Sequence, residues 1–470
     1  MIPEFAVLGH PNEGKSSVVS TLTEDDRIKV SRIPGETIVS KRYTVTIDGE
    51  EIIRFVDTPG FQVPRQTLAW FKAYDGDPAK IVDRFIDTHK NDPFFVDECE
   101  LLGPVARGAG IIYVVDGSRP VRDDDLAEME VLRLTSRARM AIINSKTDKK
   151  DYTSDWQFEF RKHFNSIRVF NSNTANFTER IKMLESLKAI DQEWESVLSC
   201  VILAFKRDWQ KRNRLVTVRM IQTIEESLSF FVSETITPSS DQEEIKERLN
   251  KRYQTHIKKI ENQMFKKIRT LFKHHLFEYR LPEHSILKHD LFSKQTWELL
   301  GLTKEQLAAA GAVIGGTMGA VIDVAAAGIT FGVFTAIGGV LGAGSALFGG
   351  KKMTKKKTAG IRFGGDKLQL GPNKNPQFLY ILMDRALIYY SHIINRPHGR
   401  RDLSDQSEKT KSKKKGYSTG FTTSQRNVCA KFFKAVTGRS FGRLLIQEKK
   451  AMSNFEELIE SVLNDISGKY

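Results

Sequence analysis

Short apolar runs and amphipathic segments alternate along the first 190 residues. Residues 2–8 form an apolar run, and residues 16–22 continue with helical character after a glycine-bounded loop. Residues 43–47 and 52–56 are two further strand-like runs on either side of an Asp-Gly turn. The pattern predicts a strand, a loop, a helix and then an antiparallel hairpin.

The rest of this part continues the same rhythm. Apolar runs at residues 110–115 and 140–143 flank a charged helical stretch at residues 123–135, and a last strand fits residues 167–170. Fully apolar strands separated by helices are typical of a buried, mostly parallel sheet. We therefore expect an α/β domain over residues 1–190, with one antiparallel hairpin in its sheet.

Residues 191–305 have a helical pattern instead. Apolar residues recur at helical spacing among many Lys, Arg and Glu, as at Leu215, Val218, Ile221, Ile224 and Leu228. Residues 238–241, Pro-Ser-Ser-Asp, indicate a break followed by the N-cap of another helix. This pattern predicts a domain of long amphipathic helices.

Residues 306–350 form a Gly- and Ala-rich apolar segment. Asp323 is the only charged residue in it, and residues 308–350 contain 12 Gly and 11 Ala in 43 positions. Glycines recur every four residues, which allows helices to approach closely. Such a composition is costly in a water-exposed helix. The segment is predicted to form an apolar hairpin, either inserted in a membrane or packed as a glycine zipper in a soluble core.

Helix length bears on the choice between these two hairpins. A helix over residues 324–350 would be about 40 Å long, against about 30 Å for the hydrocarbon core of a bilayer. One over residues 307–322 would reach only about 24 Å. The five lysines that follow at once, at positions 351, 352, 355, 356 and 357, suit anionic headgroups.

The positive charge is confined to the second part of the chain. Lys and Arg exceed Asp and Glu by 72 to 58 overall; residues 1–190 contain 27 against 30, which leaves 45 against 28 for residues 191–470. Residues 351–470 are predicted to be a basic, partly disordered helical region, with a disordered loop at residues 396–420. A basic field of this kind favours nucleic acid or an anionic membrane surface as a partner.

Overall composition excludes two classes of protein. With 40% hydrophobic and 28% charged residues, the chain is neither wholly disordered nor a polytopic membrane protein. The three cysteines, at positions 99, 200 and 429, have no ligand spacing, and the N-terminus lacks a basic signal region. We expect a location in the cytoplasm or at the inner face of the cytoplasmic membrane.

The loop after the first predicted strand carries a phosphate-binding motif. Residues 9–16, Gly-His-Pro-Asn-Glu-Gly-Lys-Ser, match GxxxxGKS between a strand and a helix. In such a loop the backbone N–H groups surround phosphates, the lysine reaches the β and γ oxygens, and the serine ligates Mg²⁺. The candidate nucleotide-binding residues here are Gly9, Asn12, Glu13, Gly14, Lys15, Ser16 and Ser17.

Two further motifs are predicted to meet the same phosphates. Asp57-Thr58-Pro59-Gly60 ends the returning strand of the hairpin, where Asp57 suits Mg²⁺ and the N–H of Gly60 suits the γ-phosphate. Between the motifs, Pro34-Gly35-Glu36-Thr37 is either a plain turn or a mobile loop that brings Thr37 to the metal. The metal candidates are Ser16, Thr37 and Asp57.

The end of the apolar run at residues 140–143 carries a candidate site for the base. In Asn-Ser-Lys-Thr-Asp, at residues 144–148, the carboxylate of Asp148 suits the N1 and N2 hydrogens of guanine, while the stem of Lys146 packs on the purine. Backbone N–H groups at residues 171–173, including Ser172 and Asn173, suit the guanine O6. The nucleotide is therefore predicted to be GTP or GDP.

These four motifs, in this order, resemble the GTPase domains of the Era, EngA and MnmE group of P-loop GTPases. The resemblance covers residues 1–190 and implies GTP hydrolysis, with Lys15, Ser16, Thr37, Asp57, Gly60, Lys146 and Asp148 in the roles just described. The layout of the whole chain resembles bacterial GTPases fused to an uncharacterised C-terminal domain with a Gly-rich hairpin. A nucleotide-dependent dimer is a further expectation.

The chain departs from this family pattern at three places. Ser145 stands where the family has asparagine, and Asn171-Ser172-Asn173 replaces the usual Ser-Ala. Residues 61–108 form a longer excursion than compact members have. Phe61 stands where Ras-like proteins carry a glutamine that orients the attacking water.

Because Phe61 cannot orient the attacking water, another group must assist GTP hydrolysis. Some relatives of the MnmE type use K⁺, held partly by a P-loop asparagine, and the matching residue is Asn12. Lys15, Thr37, Gly60 and Asn12 are thus the candidate catalytic residues. The alternatives are that Asn12 only caps the loop and that an activating protein supplies the charge.

Two functions follow from these observations. In the first, a GTP-hydrolysing switch acts at a membrane or a membrane protein through its C-terminal helical part. In the second, the chain is an RNA- or ribosome-associated GTPase, although it has no recognisable KH or RRM signature.

Overall fold

The computed structural model describes most of the chain. The described residues are 2–25, 39–144, 151–171, 175–236, 241–273, 285–303, 305–307, 334–337, 367–396, 416–438 and 446–468. The first part contains the strands β1 (Glu4–Leu8), β2 (Lys41–Ile47), β3 (Glu50–Asp57), β4 (Gly110–Asp116), β5 (Arg139–Asn144) and β6 (Ser166–Phe170). Its helices are α1 (Lys15–Thr23), α2 (Pro64–Ala73), α3 (Ile81–His89), α4 (Val96–Ala106), α5 (Asp123–Leu134), α6 (Thr153–His163) and α7 (Phe177–Lys188).

Six strands form one sheet in the order β2-β3-β1-β4-β5-β6. Only β2 and β3 pair antiparallel, and the other neighbours run parallel. Every residue of β4 but the last is buried, as expected for a central strand with helices on both faces. The predicted α/β fold with one antiparallel hairpin is confirmed.

The parallel strands bring their carboxyl ends to one edge of the sheet. β1 ends at Leu8, β4 at Asp116 and β5 at Asn144, and β3 ends beside them at Asp57. Ligands bind open α/β sheets at this edge. The motifs predicted from the sequence follow these strand ends.

The excursion at residues 61–108 is helical. It contains α2, α3 and α4, and α2 packs along α5 with Arg65 paired to Asp124 at 2.6 Å. The rings of Phe71, Phe85 and Phe95 pack together inside it. The excursion is therefore a folded layer on one face of the sheet.

The second part is mainly helical, as predicted. Its helices are α8 (Gln192–Ser229), α9 (Gln242–Leu271), α10 (Lys294–Leu299), α11 (Pro376–Ile394), α12 (Thr423–Thr437) and α13 (Ile446–Ser467). Asp241 caps α9 by accepting from the N–H groups of Glu243 and Glu244, so the predicted helix start is correct there. Sixteen of the nineteen residues of α11 are buried, because the other helices surround it.

A small second sheet was not predicted. It has the order β7-β9-β8, from β7 (Val232–Thr235), β8 (Phe334–Ile337) and β9 (Lys367–Leu370), all antiparallel. β8 lies inside the Gly-rich segment, so a continuous helix over residues 324–350 is wrong at these four positions. The remaining residues of that segment from position 308 onward lie outside the described residues.

The predicted disordered loop at residues 396–420 is also wrong at its end. Residues Tyr417–Gly420 form a 3₁₀ turn in which Ser418 is fully buried. Ser418 is held there by Asp384, which accepts from its N–H at 2.7 Å and from its Oγ at 2.8 Å. Residues 397–415 are not among those described.

The two parts pack directly against each other. The Trp194 ring at the start of α8 meets Phe5 of β1 edge-on, with 4.7 Å between ring centroids. Glu24, just after α1, is buried and pairs with Arg180 of α7 at 2.7 Å and Arg212 of α8 at 2.8 Å. The helical region is thus fixed to the sheet next to the loop that precedes β2.

Among the residues that the structure describes, no helix is both long enough and apolar enough to cross a bilayer.

Candidate functional site

The phosphate-binding loop joins β1 to α1 and curls around the side chain of Lys15. The Lys15 ammonium donates to the carbonyl oxygens of Gly9 at 3.1 Å and His10 at 3.0 Å. Lys15 is buried, and that burial lowers the pKa of its ammonium. A buried cation held only by carbonyl groups favours an anionic ligand.

The start of α1 and the end of β3 meet at the candidate metal site. The Ser16 Oγ donates to Asp57 Oδ2 at 2.7 Å, and Asp57 Oδ1 is buried without a hydrogen-bond partner among the described residues. Burial raises the pKa of Asp57, although Ser16 and Lys15 oppose that rise. A hydroxyl beside an unsatisfied carboxylate oxygen is a donor set that fits Mg²⁺.

The turn after β3 is pressed against the phosphate-binding loop. A β-carbon on Gly60 would lie 2.5 Å from the backbone nitrogen of Pro11, so only glycine fits there. Thr58 fixes the turn by donating from Oγ1 to the carbonyl of Val7 at 2.8 Å. Phe61 is fully buried, and its ring lies in the core beneath the turn.

Asn144 joins the site at the end of β5. Its Nδ2 donates to the carbonyl of Glu13 at 3.1 Å, and a β-carbon on Gly14 would lie 2.3 Å from the same Nδ2. Asn144, the residue before Ser145, therefore ties the end of β5 to the phosphate-binding loop. The sequence signal was its position at a strand end, next to the recognised motif.

Glu13 carries a buried ion-pair network that the motif did not reveal. Its Oε1 accepts from Arg119 Nε at 2.6 Å, and its Oε2 accepts from the N–H of Asp116. Arg119 also donates to both carboxylate oxygens of Asp125 at 2.7 Å. The side chain of Glu13 therefore ties the loop to β4 and α5, while burial raises its pKa despite Arg119.

His10 makes a second tie to α5. Its Nδ1 lies 3.0 Å from Oε1 of Glu128, and the Tyr113 hydroxyl donates to Oε2 of Glu128 at 2.8 Å. Glu128 is fully buried, which raises its pKa, and its hydrogen bond raises that of His10. The loop is thus held at two points, by Glu13 bound to Arg119 and by His10 bound to Glu128.

Asn12 is exposed at the tip of the loop, with a positive φ of 68°. Its side chain forms no hydrogen bond with the residues that the structure describes, so a capping role has no support there. Gly9 follows the last residue of β1, and Ser17 lies in the first turn of α1. The remaining predicted residues lie outside the described residues: Thr37, Ser145, Lys146, Asp148, Ser172 and Asn173.

Comparison with protein families covers both parts of the chain. Residues 159–461 match the family model described as "Domain of unknown function (DUF3482)". The chain belongs to this family. Residues 4–146 match the model "50S ribosome-binding GTPase". The first part of this DUF3482 protein is thus a P-loop GTPase domain.

Curated relatives of the DUF3482 protein match its first part. GTPase Der of Pseudothermotoga lettingae is 27% identical over 205 residues, which cover 41% of this chain and 40% of Der. The tRNA modification GTPase MnmE of Petrotoga mobilis is 27% identical over 150 residues, covering 32% of this chain and 27% of MnmE. The chain spans less than half the length of these relatives.

Among solved structures, one that resembles the DUF3482 protein is Era of Aquifex aeolicus bound to GDP.AlF4-. It is 15% identical, with a TM-score of 0.30, over 52% of this chain and 74% of Era. Similarity at this level says nothing about function.

Proposed function

We propose that the chain binds GTP with Mg²⁺ and hydrolyses it to GDP and phosphate. The observation that carries this proposal is the unsatisfied Oδ1 of Asp57, buried beside Ser16 and Lys15. A buried carboxylate oxygen without a partner is costly in a protein unless a ligand uses it. In this reading Ser16 and Asp57 hold the metal, Thr37 completes its ligands and Lys15 neutralises the phosphates.

Nucleotide titration tests the proposal. Wild type is expected to bind GTP tightly with Mg²⁺ in isothermal titration calorimetry and to release phosphate. Lys15→Ala and Ser16→Ala are each expected to weaken GTP binding at least about hundredfold, because each removes a direct contact. Lys80→Ala, an exposed lysine of the same domain, is the control. Wild-type affinity in both site variants would refute the assignment.

Guanine selectivity is proposed for Lys146 and Asp148, with Ser145, Ser172 and Asn173 nearby. The carboxylate of Asp148 accepts two hydrogens that adenine cannot supply. Asp148→Asn is therefore expected to shift preference from GTP towards xanthosine triphosphate in a competition assay. Unchanged preference would remove Asp148 from the base pocket.

We propose that the helical region acts at an anionic membrane through the Gly-rich segment and the lysines after it. α8 begins beside the GTPase sheet and is about 57 Å long. It ends next to β7 of the second sheet. β8, the described part of the Gly-rich segment, pairs with β9 of this sheet and so belongs to the helical region. In this proposal the segment meets the membrane while the GTPase domain remains in the cytoplasm.

An alternative partner is RNA or the ribosome. Lys251, Lys259, Lys266 and Lys267 are exposed on α9 and form no ion pair with described residues. Lys251, Lys259 and Lys266 are separated by eight and seven residues, which places these three on one face of the helix, and Lys267 lies at its edge. A row of unpaired lysines suits nucleic acid phosphates.

Two charge variants of the full chain separate these partners. Replacing the five lysines at positions 351, 352, 355, 356 and 357 by Gln is expected to abolish pelleting with phosphatidylglycerol vesicles. Replacing the four exposed α9 lysines by Gln is expected to leave pelleting intact. Loss of RNA copurification in the second variant, with no vesicle binding by wild type, would favour the alternative. Light scattering with GDP and with a GTP analogue tests the proposed nucleotide-dependent dimer.

A further inference from the structure

Helix α4 holds the turn that follows Gly60. The Glu98 Oε1 accepts from the backbone N–H groups of Gln62 and Val63, each at 2.7 Å. Glu98 is fully buried, while Gln62 is exposed on the surface of the turn. One carboxylate oxygen thus fixes two consecutive peptide groups just after the phosphate-facing glycine.

The same helix also holds the chain that enters β2. The Glu100 Oε1 accepts from the N–H of Ser40 at 2.8 Å, and the Glu100 carbonyl accepts from the Ser40 Oγ at 3.0 Å. Ser40 follows Thr37 by three residues. Two acids of α4, two positions apart, therefore bind the segments next to both proposed γ-phosphate contacts.

Such an arrangement matters because Phe61 is buried and has no group that orients water. Hydrolysis then depends on how accurately the backbone around Gly60 and the segment containing Thr37 are placed. Misplacement by about 1 Å can reduce a rate by orders of magnitude. A helix that contacts both segments is well placed to control that geometry.

We propose that α4 is a built-in positioning element for GTP hydrolysis, in which Glu98 and Glu100 keep the two γ-phosphate segments in register. This inference rests on the proposed GTPase function. Glu98 and Glu100 are positioning residues, since each acts through the groups that it holds at Gln62, Val63 and Ser40. They therefore affect the rate of hydrolysis and leave the affinity for GTP unchanged.

Substitutions of Glu98 separate its hydrogen bonds from its charge. Glu98→Ala removes the acceptor and leaves two N–H groups without their partner. Glu98→Gln keeps an acceptor oxygen for both N–H groups. We expect single-turnover hydrolysis about tenfold slower in Glu98→Ala and within about twofold of wild type in Glu98→Gln, with equal GTP affinity.

Glu100 offers the same pair of variants on the other segment. Glu100→Ala is expected to slow hydrolysis and Glu100→Gln to preserve it, again with GTP affinity kept. Asp97→Ala is the matched control, because Asp97 is an acid on the same turn of α4 and forms no hydrogen bond with the described residues of either segment. Urea unfolding of each variant shows whether α4 remains folded, and the Gln variants remain informative if an Ala variant does not fold.

The results of these measurements separate the positioning role of α4 from the proposed GTPase function. If wild type neither binds nor hydrolyses GTP, the proposed function fails. If wild type hydrolyses GTP and both Ala variants match it, the positioning role is overturned. Loss of GTP affinity in parallel with rate would also overturn it, since that result indicates general damage to the site.

Discussion

Buried acids serve different purposes in the GTPase domain and in the helical region. In the GTPase domain, burial lowers the pKa of Lys15 against the opposing charges of Asp57, Glu128 and Glu13, and one oxygen of Asp57 has no partner among the described residues. In the helical region, Glu261 receives two hydrogen bonds from Arg385, at 2.6 and 2.9 Å. The helical region uses its buried charge to hold itself together, whereas the GTPase domain leaves some of its charge for a ligand.

Breaking the Glu261 pair tests the structural half of this comparison. Glu261→Ala leaves Arg385 buried without its acid, so the free energy of unfolding should fall by about 3–5 kcal/mol. Glu244→Ala, on the same helix, removes an exposed pair with Arg248 and should cost at most about 1 kcal/mol. Urea unfolding measures both values, and equal losses would contradict the comparison.

A substitution of Asp57 tests whether the GTPase domain keeps a buried charge for its ligand. Asp57→Asn removes a buried charge with an unsatisfied oxygen, so stability should not fall. The affinity for Mg²⁺-GTP should fall about hundredfold, because a metal ligand is lost. Calorimetry with and without Mg²⁺ measures this effect. A loss of stability with unchanged affinity for Mg²⁺-GTP would show that Asp57 stabilises the fold and does not serve the ligand.

The sequence predicted the local part of this site well. Strand, loop and helix follow one another over residues 4–23, so periodicity and the GxxxxGKS motif sufficed. Asn144, Arg119 and Glu98 were not among the predicted site residues. Asn144 binds Glu13 from 131 positions away in the sequence, and Arg119 binds Glu13 from 106 positions away. Only the fold brings such distant residues together.

The second sheet shows the same limit. β7, β8 and β9 have four residues each and come from distant parts of the chain. Runs this short carry little periodicity. β8 also lies in a segment where Gly and Ala favoured a helical hairpin. Pairing between strands decided its structure, and no local pattern contains that information.

The buried acid Asp384 of the helical region makes the stability of the fold depend on pH. It is buried and accepts three hydrogen bonds from Gly301 and Ser418, yet burial raises its pKa from 3.8 to about 6. A raised folded pKa stabilises the protein at low pH, and that stability is lost as the pH rises through about 6. The loss should be about 2 kcal/mol between about pH 4.5 and about pH 7.5.

Urea unfolding at the two pH values measures the Asp384 effect. Asp384→Asn does not titrate, so the difference between wild type and this variant isolates the contribution of the residue. The same pH dependence in both proteins would show that other groups are responsible.

Glu13 sharpens the comparison at the ligand site itself. Its buried carboxylate lies in a loop that binds anions, and Arg119 offsets it only in part because Asp125 shares that arginine. Glu13→Gln should therefore tighten GTP binding, by about fivefold. Glu130→Gln, a half-buried acid on α5 that is paired with Arg133 outside the phosphate-binding loop, is the control. Weaker binding in Glu13→Gln would mean that the ion pair matters more as a support of the loop than as a charge.

The smallest predicted effect concerns the proposed K⁺ site. The Asn12 side chain is exposed and forms no hydrogen bond within the described part of the chain, so it is available to a cation. A monovalent cation there would offset charge that develops between the β- and γ-phosphates, as an arginine finger does. Phe61 supplies no such group, because its ring is buried in the core.

We expect hydrolysis to be several-fold faster in K⁺ than in Na⁺, since Na⁺ is too small for the same oxygen ligands. Asn12→Ala should abolish that difference and largely keep GTP affinity, because Lys15 and the backbone still bind the phosphates. Phosphate release at equal ionic strength in the two salts measures the effect. Equal rates for wild type shown to bind GTP would exclude the cation and leave an activating partner as the source of the charge.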